Sequence, residues 1–252
     1  MRAPSASDLI EVWEIGASRG SGERAQLLLE RCQPELSPEQ LRALPIGARD
    51  ALLLRLREQL FGPRLDALLR CSHCGEPFEV HADLDQLRAE MPPGGVDAMQ
   101  PTSGAPMNWR LDALTVHFRL PTGGDLIALE GYRDLASARN RLIERCLIDA
   151  SRDGEPIAPA ELTATELAEL AEHIAAADPS AELLLNGDCP SCGARWESLL
   201  DIAAYLWTEI ERRVGRLLTE VHTLARAYGW REQDILAMSE RRRRTYLAMV
   251  LQ

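Results

Sequence analysis

The sequence predicts an α+β fold, mainly helical. Three observations lead there: two Cys-x-x-Cys-Gly motifs, each followed by a short strand-like segment; one alternating run in mid-chain; and an apolar stripe at helical spacing from Ile202 to Tyr228. At the N-terminus, residues 8–15 are an apolar run that fits strand or helix, and Gly16-Ala-Ser-Arg-Gly-Ser-Gly22 breaks it. A helix is expected over 23–33. Ser37-Pro-Glu-Gln then opens another as a capping box, with Ser accepting from the helix N–H groups and Gln reaching back, and 47–60 forms a third.

Residues 91–107, rich in Pro, Gly, Ser and Met without a period, predict a flexible loop. Leu114, Val116, Phe118 and Leu120 alternate on one face of a strand over 113–120. Helices are expected over 123–130, 133–150 and 163–176, the last stopped by Asp178-Pro179. The longest helix carries Leu206, Ile210, Val214, Leu217, Val221, Leu224 and Tyr228 at steps of three or four. At a rise of about 1.5 Å per residue it spans roughly 40 Å. Two readings of its stripe stay open, contact with another subunit or packing on the N-terminal helices. Gly229 ends it, and two short amphipathic helices follow. The regions are therefore 1–70, helical; 71–203, carrying an α/β insertion at about 91–180; and 204–252, the long helix with a basic helical tail.

Cys71-Ser-His-Cys74-Gly75 and Cys189-Pro-Ser-Cys192-Gly193 are the most specific motifs. In such a knuckle the tight turn aims two thiolates at one metal, and Gly supplies the positive φ. Two knuckles make four ligands, the closed tetrahedral set that structural Zn²⁺ prefers. Strand-like flanks follow both, over 76–84 and 194–202, and 181–185 reads as a strand before the second. Two hairpins facing across the ion form a zinc-ribbon-like element with a long insertion between its knuckles. That insertion separates Cys74 from Cys189 by 114 residues, and loop entropy grows by only about 0.6 kcal/mol per doubling, so an insertion that folds itself is tolerated. The competing readings are redox Cys-x-x-Cys motifs, which need a helix starting at the first cysteine, and half-sites completed between subunits. His73 and His81 are candidate substitute ligands, but with four thiolates available they read as bystanders. Arg70 and Arg195 flank the knuckles, where they would offset the net −2 of a Zn²⁺ tetrathiolate. Cys32 and Cys146 lie among leucines in helical segments and read as core.

Composition removes whole classes of chemistry. All 28 basic residues are Arg, so lysine Schiff bases, P-loop lysines and lysine bases are excluded. The net charge is −11. Residues 205–252 hold nine Arg against six acids, which leaves −14 on residues 1–204. Gly16-Ala-Ser-Arg-Gly20 matches the Gly-x-Ser-x-Gly elbow, but only 17 residues precede Ser18, too few for the βα units of that fold. His222 falls on the long helix without ligand spacing, and no carboxylate pair stands out as acid and base. The expectation is not an enzyme, with no small-molecule substrate. No apolar run approaches the roughly 18 residues of a membrane span, and Met1 to Asp8 lacks the apolar core of a secretory signal, so the expected location is cytoplasmic.

The C-terminal segment runs Tyr205-Leu-Trp-Thr-Glu-Ile210, Glu220-Val-His-Thr-Leu-Ala-Arg-Ala-Tyr-Gly-Trp230, then Asp234-Ile-Leu236 and Arg242-Arg-Arg-Thr-Tyr-Leu247. It resembles the T4-type phage baseplate (hub assembly) proteins, also found in phage-tail-like contractile injection systems. Asp8-Leu-Ile-Glu-Val-Trp-Glu14, Leu44-Pro-Ile-Gly-Ala-Arg-Asp-Ala-Leu-Leu53, Phe61-Gly and Phe118-Arg-Leu-Pro-Thr122 are similar too, so the likeness spans nearly the whole chain. It implies a noncatalytic baseplate component or assembly factor whose partners are other baseplate, hub or tail proteins, with a place in an assembled tail-like particle. Trp207, Tyr228, Trp230, Arg241, Arg242, Arg243 and Tyr246 are the expected partner-binding residues. The alternative is a zinc-ribbon regulator that binds nucleic acid through Trp230 to Arg244. The −14 body disfavours it, because it repels phosphate.

Overall fold

A computed structural model describes residues 1–84, 87 and 106–250. The loop expected over 91–107 lies outside the described residues up to 105, and Met107 already belongs to a strand. The ambiguous N-terminal run is a helix, α1 (Ala6–Gly16). Its capping box decides the matter: Ser5 Oγ accepts the Asp8 N–H at 3.1 Å, and the Asp8 carboxylate accepts the Ser5 N–H at 2.9 Å. After a short turn α2 (Ser21–Cys32) begins. A second capping box, Ser37 with Gln40, starts α3 (Pro38–Arg42), and α4 (Ile46–Phe61) follows.

Two hairpins and one sheet make up the β structure. β1 (Arg64–Arg70) pairs with β2 (Pro77–Asp83), and β7 (Leu184–Asp188) pairs with β8 (Arg195–Leu199). Between them, β3 (Met107–Leu111), β4 (Leu114–Phe118), β5 (Leu147–Arg152) and β6 (Glu155–Ile157) form an antiparallel sheet in that order. The same insertion carries α5 (Gly123–Leu129), α6 (Leu135–Cys146) and α7 (Ala164–Ala177). The chain closes with α8 (Ile202–Tyr228), α9 (Glu232–Ala237) and α10 (Glu240–Val250).

Two expectations need correction. The helix expected over 133–150 stops at Cys146, and 147–150 belong to β5. Ile143, Cys146 and Ala150 would share a helical face, so the periodicity was ambiguous; pairing with β4 wins. The signal for it is Asp153-Gly154, both at positive φ (53° and 85°), a two-residue hairpin turn that needs a strand on each side. The strand expected over 181–185 begins at Leu184, because a 3-10 turn, Pro179–Ala181, intervenes.

Two hydrophobic clusters organise the molecule. The first joins α1, α2, α4 and α8 and takes in the roots of both hairpins through Leu65, Leu84, Leu185 and Leu200. The second lies within the insertion, where Val116 and Phe118 of β4 meet Ile143, Leu170 and Ile174. Leu206, Ile210, Val214, Leu217 and Leu224 of α8 are all buried within the chain, and α8 contacts α1, α2, α4, α9 and α10. Intramolecular packing, not another subunit, therefore accounts for most of its stripe. Only the last member, Tyr228, is well exposed, at 38%.

Candidate metal centre

Both hairpins turn at their cysteine motifs with the same geometry. In the first, the Gly75 N–H reaches the Cys71 carbonyl at 2.9 Å and the Cys71 N–H reaches the Glu76 carbonyl at 3.0 Å. In the second, Gly193 to Cys189 measures 2.8 Å and Cys189 to Ala194 measures 2.9 Å. Gly75 and Gly193 adopt φ of 78° and 70°, the left-handed region where a Cβ is strained. The strand registers match as well. Arg70 faces Pro77 as Asp188 faces Arg195, and Leu69 faces Phe78 as Gly187 faces Trp196.

The two tips meet. Cys71 Sγ lies 3.8 Å from Cys192 Sγ, Cys74 Sγ lies 3.8 Å from Cys189 Sγ, and all four sulfurs fall within 4.8 Å of one another. A disulfide needs about 2.05 Å, so these are not bonded pairs. A tetrahedron built on metal–sulfur bonds of about 2.3 Å has edges of about 3.8 Å, the spacing seen across the two knuckles. The donor set fits a closed metal site of one chain. Neither motif starts a helix: each cysteine pair sits at a strand-to-strand turn, which removes the geometry a dithiol redox motif requires.

The electrostatics favour a cation there. Backbone N–H groups of Cys74 and His73 donate to the Cys71 sulfur and pull its thiol down to about 6. Cys192 goes the other way. The Ala194 N–H lowers it, but burial and the three neighbouring sulfurs lift it to about 12, and Cys74 is also raised. Four sulfurs in one place cannot all carry charge unaided; a divalent ion removes that conflict. Arg70 donates to the Gly75 carbonyl at 2.5 Å, beside the first knuckle. His73 is exposed and outside the cluster, and His81 pairs with Asp66 at 2.7 Å.

Little apolar contact holds the tips. Their cluster consists of Cys71, Cys189 and Phe78, flanked by Leu69, Val80 and Trp196. Phe78 and Trp196 stand four residues after Cys74 and Cys192, and their rings meet at 5.5 Å across the pair of hairpins. Trp196 lies over Gly187, where an added Cβ would stand 3.0 Å from the indole. This aromatic pair was not singled out in the sequence, although Phe78-Glu79 and Trp196-Glu197 repeat at the same offset. Further down, the first hairpin is bolted to α8. Tyr205 Oη accepts the Asp66 N–H at 3.1 Å and donates to the Asp66 carbonyl at 2.9 Å, and beside it Arg57 of α4 grips Glu209 of α8 through two bonds of 2.9 and 2.8 Å.

The model of one protein family, described as T4 bacteriophage base plate protein, matches residues 17–207. The chain belongs to this family. No curated protein and no solved structure matches it. The matched span of this base plate family member includes both knuckles and the insertion and ends at Trp207.

The remaining expected site residues divide. Trp207 is 2% exposed; it packs on Gly16 with Arg24 over its ring and donates to Glu211 at 2.7 Å, so it is a core residue and no partner surface. Arg243 is also inside, at 4% exposure, bonded to Glu220 at 2.9 Å and to the Met238 carbonyl at 2.6 Å. Tyr228, Trp230 and Tyr246 come together beyond the end of α8, with centroids 4.5, 4.8 and 5.8 Å apart. Arg242 lies over Tyr246, and Arg241 is exposed. Ser18 sits exposed between two helices, without the strand an elbow requires, and His222 is exposed on α8. Cys32 and Cys146 are fully buried, and burial pushes both thiols up to about 11. No helix among the described residues is long and apolar enough to cross a membrane.

Proposed function

We propose that this base plate family chain is a noncatalytic component or hub-assembly factor of a contractile tail or tail-like injection system, in which Cys71, Cys74, Cys189 and Cys192 hold one structural Zn²⁺. The observation that carries the reading is the meeting of four sulfurs from motifs 114 residues apart, at the spacing of a tetrahedral thiolate site. Four thiolates leave no open coordination position for water or substrate, so the ion fastens and does not catalyse. It closes the 71–203 region, with its insertion, onto the same helical body that carries α8. The partner surface on this reading is the remainder of the expected set, exposed Tyr228, Arg241 and Arg242 with half-buried Trp230 and Tyr246. Its partners are other baseplate, hub or tail proteins.

Purified protein is expected to contain one Zn²⁺ per chain, and Cys71→Ser and Cys189→Ser are each expected to abolish it, read by metal analysis of the purified variants. Zinc retained in full by either variant overturns the shared site. Reversal of two exposed charges, Arg241→Glu with Arg242→Glu, tests the partner surface better than deleting the tail, because deletion also removes Arg243 from its buried bond to Glu220. The reversed protein is expected to keep its zinc and its fold and to lose particle assembly. Salt-steep binding to DNA that the reversal abolishes, with assembly intact, favours the regulator instead.

A further inference from the structure

A cleft of about 550 Å³ lies in the seam between the helical body and the insertion, lined by none of the four clustered cysteines. Ile46 and Leu200 of the body face Leu126, Leu142 and Ile174 of the insertion across it. The seam beside it is fastened by backbone bonds. The Ile46 N–H reaches the Pro121 carbonyl at 3.0 Å, and the Gly123 N–H reaches the Leu44 carbonyl at 3.1 Å. Carboxylates fasten it too: Glu130 accepts the Gly22 N–H at 2.6 Å and Asp178 accepts the Gly47 N–H at 2.9 Å. Added Cβ atoms at Gly22 and Gly47 would run into those same side chains, so both glycines let the two halves approach.

The charge of the cleft does not balance. Five carboxylates line it, Asp50, Glu130, Asp178, Glu182 and Asp201, against two guanidiniums, Arg49 and Arg139. Asp50 is 7% exposed and pairs with Arg49 at 2.7 Å. Burial, with Asp178 and Asp201 nearby, lifts its carboxyl to about 6 in spite of Arg49. Glu130, Glu182 and Asp201 are exposed along the cleft and Asp50 is already paired, so the imbalance is a solvated surplus of carboxylates over guanidiniums, a charge complementary to a cationic ligand. A bare metal ion is disfavoured, since the one group of potential metal ligands that converges among the described residues is the four cysteines. Apolar walls instead suit a cation on a methylene stem, with the stem lying along them and the charge reaching the carboxylates. The volume is that of an ordinary binding pocket, placed where such pockets favour, between two packed units.

We propose that this cleft receives a Lys or Arg side chain carried on an apolar stretch of a protein partner. The source is taken as protein because the scaffold reading above makes protein the ligand class; the geometry itself requires only an apolar cation.

The test is a titration of full-length, zinc-loaded, ¹⁵N-labelled protein with the peptide Ac-Leu-Arg-Leu-Leu-NH₂. Its citrulline counterpart, the same shape without the charge, and hexylamine serve as comparison probes. The arginine peptide is expected to shift the amides of Gly22, Gly47 and Ala204, and the citrulline peptide to bind about tenfold more weakly, the worth of one charge-assisted contact. Asp178→Asn, which retains an acceptor for Gly47, is expected to weaken the arginine peptide about fivefold. Ala175→Phe, which adds bulk to the cleft wall and replaces no carboxylate, is expected to abolish binding. Equal affinity for arginine and citrulline, or binding that survives both variants, overturns the proposal. Hexylamine bound as tightly as the peptide overturns the protein source and leaves a small-cation site. None of these readouts depends on particle assembly, so failure here leaves the proposed function standing, and the converse holds.

Discussion

The two ends of the body solve the same problem in different ways. At the cysteine end, two hairpin tips meet over a cluster of three buried residues, two of them cysteines. At the other end, α9 and α10 fold back on α8 through Ile235 and the aromatic trio, with Arg243 bonded to Glu220 and Arg213 to Glu240 at 2.6 Å. One end holds its chain by side chains alone. The other lacks the apolar area to do so and brings four thiols together instead. Where burial is thin, the proposed metal would supply the folding energy that a core otherwise provides.

That contrast predicts a local response to chelation. Removing the ion is expected to free 70–77 and 188–195 while the helical body keeps its protection. Hydrogen exchange should show amides at both tips losing protection by orders of magnitude, with α4 and α8 unchanged. Global unfolding on chelation would mean that the tips carry the body's stability, against the core described for it. The next largest effect belongs to the other end. Arg243→Ala removes one partner of a nearly buried pair, and such losses cost about 3–5 kcal/mol. Thermal or urea unfolding should record it, with zinc content unchanged. A cost below about 1 kcal/mol would mean that the tail is held by its rings and not by this pair.

A third prediction concerns the insertion, which is held by neither device. Asp125 is 1% exposed and receives Arg119 at 2.6 and 3.0 Å, Arg145 at 2.8 Å, and the backbone and hydroxyl of Thr122 at 2.9 Å. Burial opposes its charge, but Arg119 and Thr122 overcome that and hold its carboxyl at about 2, below the ordinary 3.8. A carboxylate with a lowered folded pKa contributes stability in full above 3.8 and loses it as the pH falls toward 2. The insertion should therefore loosen across that window, followed by exchange of the β4 and α5 amides. Asp125→Asn should flatten the pH dependence there.

Much of this was legible before any coordinates. The α8 stripe set both ends of that helix, because a 27-residue apolar period admits one register, with Gly229 as its stop. The four cysteines were legible because turn chemistry repeated twice in one chain is rare without a shared purpose. The end of α6 was not, since Ile143, Cys146 and Ala150 satisfy helix and core alike, and the decision lay with a β4 edge remote in sequence. Trp207 and Arg243 misled for a related reason. An aromatic or an arginine in a C-terminal motif has the composition of an interface, and burial depends on what folds against it: Gly16 in one case, Glu220 in the other. Nor did any spacing reveal the seam cleft, whose carboxylates come from α4, from the end of α5 and from turns before β7 and α8.

The smallest expected effect tests the cysteine end most finely. Trp196 buries its ring against Phe78, yet its Nε1 is buried with no hydrogen-bond partner among the described residues. Trp196→Phe keeps an aromatic beside Phe78 and removes a donor whose desolvation costs about 1–3 kcal/mol. The lost ring area works against it, at about 25 cal/mol per Å². The two terms are of similar size and opposite sign, so the net change in stability should stay within about 1 kcal/mol, with zinc still bound at one per chain. Trp196→Ala keeps neither term in its favour, since the aromatic contact goes with the ring, and it should loosen the second tip in the same exchange experiment that follows chelation. If Phe destabilises as much as Ala, the indole N–H has a partner, and the tips are held by more than four sulfurs and an aromatic pair.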